Sequence, residues 1–556
     1  MPARWIPVLM ALLLGTSASA QEARFSWDHA TVYRLVTDRF SNGDSSNDVA
    51  YGRGLDGNGT AYPEDVTGHF HGGDYDGIRG WLEDGYFQDL GVNVLWMSAP
   101  YEQVHGWVGG GDGDFQLYAY EGAWPLDYTR FERAFGSPES FDALARTAAD
   151  QGIRIMVDVD LNHVGPATMH DMAAFGFGGL TGEGWRSWQP SSRLGWQSYM
   201  ADQVTATDSL SGWRRWWGAE WVRTDAAGYE MCASEGIQQC VGGLPDLRSD
   251  LEITGLPAFL TLKWGEDAAL AEQQELDAFF DRTNARRTAA NHVVKWLVDW
   301  VMEQPIQGFH VRETEGVAPE TLKLLTDEVE RAYRMRESEP DVPFLLLSDG
   351  SVPMMSGTDR DVVWRRWEET GNMASLAQVT VTGTDKAASA ALPFRVGDPG
   401  VASSTGALAA FLLQPGPIVL NYGAESGRKP GPDVSDAHHR ALSGMVWADE
   451  SDPHFTAWKT LGSFRGQHPA VARGGFDMVQ DQPKTFHRGL RMGMETDQVV
   501  IATEVAGKTR LNVSIVWPDD TVLRDAMTGS VVFVSYGQIS VTPHASGLVL
   551  LEVVPE

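Results

Sequence analysis

Cysteine is nearly absent from this chain, which holds only Cys232 and Cys240. With no further Cys or His close to them in sequence, the pair argues against a metal cage. In an exported protein two cysteines this close are expected to form a disulfide around a short loop, whereas a reducing compartment leaves them as thiols. Positive charge is scarce as well: 43 Lys and Arg face 75 Asp and Glu, a formal net charge of −32. Such a surface repels nucleic acid and anionic lipid, which excludes both as partners. Beyond the first residues no apolar run is long enough to cross a bilayer, so membrane insertion is not expected. Neither an internal repeat nor a low-complexity tract interrupts the sequence.

What is present begins with a secretory signature over residues 1–20. Arg4 supplies the positive start, Val8 to Leu14 the apolar stretch, and Ala18-Ser19-Ala20 a small-residue cleavage site before Gln21. The expectation is an exported protein, periplasmic or secreted. At 556 residues the chain exceeds one compact core, so two or three domains are expected. Short apolar strands alternate with amphipathic helices through the middle, the pattern of a parallel barrel. Strands are predicted at Thr31 to Asp38, Val92 to Met97, Ile153 to Asp160, Phe344 to Leu347 and Pro417 to Leu420, with a strand ending at Arg312. A helix is predicted over Ala285 to Glu303, where Val293, Val294, Leu297 and Trp300 share a face. About a hundred residues rich in Gly, Trp and Asp follow the third strand, long enough to form a subdomain. From about residue 478 alternating strands predict a β-sandwich, with Val499 to Thr503 and Leu511 to Trp517 among them. The domains expected are 21–164 and 266–477 as two parts of a barrel, 165–265 as the insertion and 478–556 as the sandwich.

A series of ordered motifs sharpens this reading. Asp38-Arg39-Phe40 precedes Asn42-Gly43-Asp44 and Asn47-Asp48, and His71-Gly72-Gly73-Asp74 follows. Ser98-Ala99-Pro100 and His105-Gly106-Trp107 come after the second strand, and Asp158-Val159-Asp160-Leu161-Asn162-His163 ends the third. Trp216-Trp217-Gly218, Leu244-Pro245-Asp246-Leu247 and Asn421-Tyr422-Gly423 complete the set. From about Val32 to about Val471 the chain resembles glycoside hydrolase family 13, the α-amylase family, and within it the periplasmic α-amylases. The resemblance implies a (β/α)8 barrel with an inserted subdomain after strand three and a C-terminal β-sandwich. It also implies action on α-1,4-linked glucans such as starch and maltooligosaccharides.

The same resemblance exposes departures where the chemistry belongs. Retaining hydrolysis needs two carboxylates about 5 Å apart at the C-terminal ends of barrel strands. The family writes its fourth strand Gly-Phe-Arg-x-Asp, ending on the nucleophile; here it reads Gly308-Phe309-His310-Val311-Arg312. An arginine is always protonated and cannot attack a sugar. The acid/base position falls on Asp349, one methylene short of the family's Glu and therefore set back by about 1 Å. Asp398 stands at the third carboxylate. Tyr-His-Gly-Tyr appears as Tyr120-Glu121-Gly122-Ala123. His163, Tyr120, His310 and Trp107 remain as expected sugar-contacting positions. Strand alternation predicts that Glu313 points away from the face of Arg312, whereas Glu315 lies past the strand end. An economical arrangement sets Arg312 between Asp349 and Asp398 as an internal salt-bridge cluster.

Calcium is the expected cofactor. Asn42, Asp44, Asn47 and Asp48 form a run of hard oxygen donors, and the resemblance adds the Gly72 carbonyl and Asp74. An ordinary Asx-rich turn would carry the same residues. The family's second calcium position is matched by Asn162 and Asp246, but its histidine is replaced by Gly316. Trp107, Trp124, Trp213, Trp216, Trp217 and Trp221 gather around the inserted loops, where they either line a glucan groove or pack a core. The resulting expectation is an exported protein that binds α-glucans with hydrolysis lost or strongly reduced. An active hydrolase or transglycosylase with relocated carboxylates, and a non-catalytic protein scaffold, are the alternatives.

Overall fold

The computed structural model describes residues 25–55, 59–60, 66–177, 192, 195, 199, 215–223, 244–337, 342–348, 374–378, 394–397, 405–432 and 434–554. Cys232, Cys240, Trp213, Asp349 and Asp398 lie outside the described residues, as does the 1–20 leader.

Eight parallel strands close into a barrel: β1 (Thr31–Arg34), β2 (Val94–Met97), β3 (Arg154–Asp160), β4 (Gly308–Arg312), β5 (Leu345–Ser348), β6 (Ala374–Gln378), β7 (Phe394–Gly397) and β8 (Ile418–Asn421). Each strand pairs with its sequence neighbours, and β8 returns to β1 with Thr31 opposite Ile418. Val32, Val94, Trp96, Met156, Leu345, Leu347 and Val419 fill the interior and are fully buried. The other faces of the strands carry Leu95, Ile155, Phe309 and Leu346 against the surrounding helices. Two-sided burial explains why these segments read as continuous apolar runs.

The first strand is shorter than predicted. It stops at Arg34, and Thr37–Phe40 turn into a short helix. The Thr37 amide donates to Ser98 Oγ, and the Asp38 carboxylate accepts from the amides of His71 and Gly72, so these residues cannot extend the ladder. The long helix likewise starts later, at Ala289 instead of Ala285, because Thr288 caps it by accepting from the Asn291 amide.

Between β2 and helix Pro138–Asp150 lie two antiparallel hairpins without a counterpart in the sequence reading. Tyr101–Gln103 pairs with Pro125–Phe131, and Val108–Gly110 pairs with Phe115–Leu117. After β3 the described parts of the insertion pack on one another and onto the barrel helix Ala289–Glu303. Trp216 stacks on Phe259 with ring centroids 4.1 Å apart, and Trp221 stacks on Trp296. Trp107, Trp216, Trp217 and Trp221 are all buried.

The C-terminal region forms a six-stranded antiparallel sheet, with a two-stranded sheet of Thr509–Asn512 and Gln538–Val541 beside it. Val500, Leu511, Trp517, Leu523, Ile539 and Leu551 make its core. The strand predicted through Trp517 ends at Asn512, whose side-chain oxygen accepts from the amide and hydroxyl of Ser514 and turns the chain.

Candidate active site

The site lies at the C-terminal end of the barrel, where parallel register sets side chains of β3 and β4 side by side. Asp158 pairs with His310 and Asp160 with Arg312 along the ladder. Because strand side chains alternate, all four share one face. The Arg312 guanidinium donates from Nη2 to Asp160 Oδ2 at 2.7 Å and to the Gly122 carbonyl oxygen, and its Nη1 stands 3.9 Å from Asp158 Oδ2. Asp160 also accepts from the Tyr101 hydroxyl at 2.8 Å. Asp158 Oδ1 lies 2.7 Å from His310 Nδ1 and accepts from Trp96 Nε1 at 2.8 Å.

The salt-bridge cluster expected with Asp349 and Asp398 falls on residues outside the described ones. Among the described residues Arg312 is neutralised by Asp158 and Asp160, both on the neighbouring strand. Burial alone would raise the pKa of Asp158, but Arg312 and His310 outweigh it and hold the carboxyl well below the usual range. For Asp160 burial wins and the pKa is raised, with Arg312 and His163 opposing. The guanidinium is pushed still further toward its charged form: burial opposes the charge, and Asp160 and Asp158 more than offset that. At the end of β4 the barrel thus presents a largely buried cation tied to two anions.

Glu313 departs from its expectation for a backbone reason. β4 ends at Arg312, and Glu313 adopts a left-handed conformation with φ 51°, so strand alternation no longer sets its direction. Its Oε2 comes within 3.1 Å of His163 Nδ1. His163 is itself buried, with Nε2 at 2.9 Å from the Ala123 carbonyl and 3.5 Å from Asp160 Oδ1. Burial lowers the His163 pKa, and Glu313 and Asp160 together reverse this and raise it. Glu313 keeps about a third of its side chain exposed (33%), so it is a carboxylate at this rim with access to solvent.

The other expected sugar-contacting groups are occupied by protein. Tyr120 is fully buried; Arg39 stacks on its ring at 3.6 Å, and its hydroxyl meets His439 Nδ1 at 2.9 Å. His310 is tilted against the Trp96 ring at 4.6 Å, and Trp107 is buried. An open cleft of about 830 Å³ lies on the Tyr120 side, lined by Asp38, Arg39, His71, Arg428, His439 and Trp447 among others and by none of the Arg312 cluster.

The calcium positions divide. Asp74 Oδ1 accepts from the amides of Gly43 and Gly77, and its Oδ2 accepts from the Asp44 amide and Asn47 Nδ2, so this carboxylate caps the helix Tyr75–Glu83 and knits the loop. Asp44 Oδ1 accepts from the Ser46 amide. Asn42 and Asp48 converge at 2.8 Å over Gly72. A Cβ at Gly72, where φ is +87°, would lie 2.6 Å from both of them. Asn47 Oδ1 is buried without a hydrogen-bond partner among the described residues. Uncommitted amide oxygen, an adjacent carboxylate and a backbone that only glycine allows fit a hard cation. At the second position Asn162 Nδ2 donates to Asp246 Oδ1 at 3.0 Å, and a Cβ on Gly316 would lie 2.0 Å from Asn162 Oδ1. The missing histidine therefore has no room unless Asn162 moves.

The comparisons with known proteins agree with this architecture. A family model described as the alpha-amylase catalytic domain matches residues 34–175. The periplasmic alpha-amylase of Escherichia coli (strain K12) is 34% identical over 500 residues, covering 83% of this chain and 70% of that protein. An alpha-amylase of Niallia circulans is 33% identical over 190 residues, covering 31% of this chain and 34% of that protein. Among solved structures, the three-domain cyclomaltodextrin glucanotransferase CldA aligns with a TM-score of 0.53 at 18% identity, over 95% of this chain and 99% of that one. That likeness is one of fold.

Proposed function

Since the chain belongs to the α-amylase family of glycoside hydrolases, we propose that it is an exported member that binds α-1,4-glucans while ordinary retaining hydrolysis is lost or strongly reduced. The observation that carries this reading is the Arg312 guanidinium at the end of β4, held at 2.7 Å by Asp160 and capped by the Gly122 carbonyl. A retaining mechanism needs a carboxylate there to form a glycosyl-enzyme bond, and a guanidinium has no lone pair to offer. Asp158 and Asp160 do not replace it, since both are buried and spent on Arg312, His310, Tyr101 and Trp96.

One observation favours a second reading, an active hydrolase or transglycosylase with a relocated carboxylate. Glu313 reaches the rim beside His163 and remains partly exposed. The test is reducing-end release from a long maltooligosaccharide by residues 21–556 with calcium present, alongside Asp398→Ala and Glu313→Gln. No release above the Asp398→Ala background, together with saturable glucan binding, is the expected result. Turnover abolished by Glu313→Gln would establish the relocated carboxylate and overturn the loss. Absence of both turnover and glucan binding would leave the scaffold.

Calcium fits the first site through Asn42, Asn47, Asp48 and the Gly72 carbonyl, with Asp44 and Asp74 shaping the loop. Bound there, the ion would cross-link the β1 loop to residues 71–74. Removing divalent ions with a chelator should lower the melting temperature, with restoration by Ca²⁺.

A further inference from the structure

Away from the Arg312 cluster, three metal-ligating side chains converge across the barrel mouth from two loops distant in sequence. Glu121 Oε2 stands 3.0 Å from His438 Nε2, and Glu121 Oε1 stands 3.0 Å from His439 Nδ1. One donor atom from each of the three residues falls within 4.8 Å of the others. We propose that Glu121, His438 and His439 form a binding site for a divalent transition-metal ion of the zinc class. The proposal does not rest on the calcium loop, and the site borders the expected sugar-contacting positions, since His439 meets the Tyr120 hydroxyl and Glu121 adjoins Gly122.

The donor set suits such an ion. Two imidazole nitrogens and one carboxylate oxygen are the ligand types of open three-ligand zinc sites, and imidazole disfavours calcium and magnesium. Donors about 2.0–2.1 Å from a tetrahedral ion lie roughly 3.3 Å apart, so the two 3.0 Å spacings, one to each Glu121 oxygen, need open by only a few tenths of an ångström, while the remaining edge, within 4.8 Å, closes through side-chain rotation.

The backbone holds the donors in place. His438 and His439 begin the short helix Ala437–Ala441, and Asp436 caps it by accepting from both of their amides. Ser435 hydrogen-bonds Asp114 at 2.7 Å, tying this segment to the hairpin that leads into Tyr120 and Glu121. A comparison inside the molecule sharpens the reading. The triad of Glu272, Glu275 and Asp299 encloses the Lys295 ammonium, with all three contacts at 2.8 Å, and so is satisfied by a protein cation. Among the described residues the ion pairs of Glu121 run only to the two imidazoles. His439 Nδ1 faces both Glu121 Oε1 and the Tyr120 hydroxyl, and one ring nitrogen cannot serve both in the imidazole plane. An ion accepting from Nδ1 and the carboxylate resolves this crowding. His438 keeps 64% of its side chain exposed, which leaves an entry path and an open coordination position for water or a ligand oxygen.

The test uses the mature full chain, stripped of transition metals with calcium retained, and titrated with Co²⁺ followed by visible absorption and with Zn²⁺ by calorimetry. One equivalent should bind, with the visible bands of a four- or five-coordinate cobalt ion, and Zn²⁺ should displace it. Glu121→Gln and His438→Asn should each weaken binding at least ten-fold, about the lower bound for losing even an outer partner of a metal site. Glu272→Gln should leave it unchanged. His438 is exposed enough that its variant tests the site without threatening the fold. No saturable binding, or curves in Glu121→Gln and His438→Asn that overlay the parent, would overturn the proposal and leave a histidine–carboxylate hydrogen-bond clamp.

Discussion

Position 316 shows how much one side chain decides. Gly316 sits so close to Asn162 that an added methyl would lie 2.0 Å from the amide oxygen. Gly316→Ala should therefore destabilise the protein by about 1–3 kcal/mol through overpacking, read as a lower midpoint in denaturant. Arg312 is the stronger case. Arg312→Asp would set a third carboxylate beside Asp158 and Asp160 and remove their shared cation. Breaking a buried pair in this way costs about 3–5 kcal/mol, so restoring the family's residue alone should lower stability without restoring turnover. An unchanged melting temperature would show that the cluster is not held by charge. The identity of Arg312 was plain from the sequence, but its partners were not. Asp158 and Asp160 were visible as an i, i+2 pair, as were His310 and Arg312, and only the β3–β4 register shows that the two pairs face each other.

Among the elements, the hairpins between β2 and helix Pro138–Asp150 position more of the site than their length suggests. Tyr101 supplies the phenol on Asp160, and Glu102 and Asp127 hold Lys263 at 2.6 and 2.7 Å. Lys263 lies on the helix Ala258–Trp264, so one ammonium fixes the inserted region against the hairpin. Lys263→Met leaves two buried carboxylates without their cation and should cost about 3–5 kcal/mol, measured by equilibrium unfolding. These hairpins escaped the sequence reading for a physical reason. Three of the four strands have only three residues, too few for alternation to register, and Val108-Gly109-Gly110 offers none. Buried, mainly apolar strands such as β3 and β5 announced themselves, with ends within a residue of those predicted.

On the scale of the whole molecule, barrel and C-terminal sheet meet at a charged junction. His468, at the end of helix Pro453–Gln467, places Nδ1 2.7 Å from Asp497 and Nε2 2.7 Å from Glu552. Burial lowers its pKa, but the two carboxylates prevail and raise it to about 9. A histidine with a raised folded-state pKa contributes its full stability below the unfolded value near 6.5, and this is lost as pH climbs through about 9. The contribution is on the order of 3 kcal/mol at most. The melting temperature should therefore fall between pH 6.5 and 9.5, and His468→Gln should flatten that part of the curve. The sequence made the barrel and the sandwich legible, because each rests on repeated apolar patterning. It gave no sign of this junction, whose three residues lie on separate elements and meet only after folding.

Arg312 has one more consequence, for ligands. As a glycosidic bond breaks, positive charge builds on the sugar ring, and basic sugar mimics bind tightly to ordinary family members because they carry that charge in advance. Here the carboxylates beside that position, Asp158 and Asp160, are already engaged by a guanidinium, so neither is left as a free anion for such a mimic. Its advantage should disappear: a plain oligosaccharide should bind as well as its positively charged imitation.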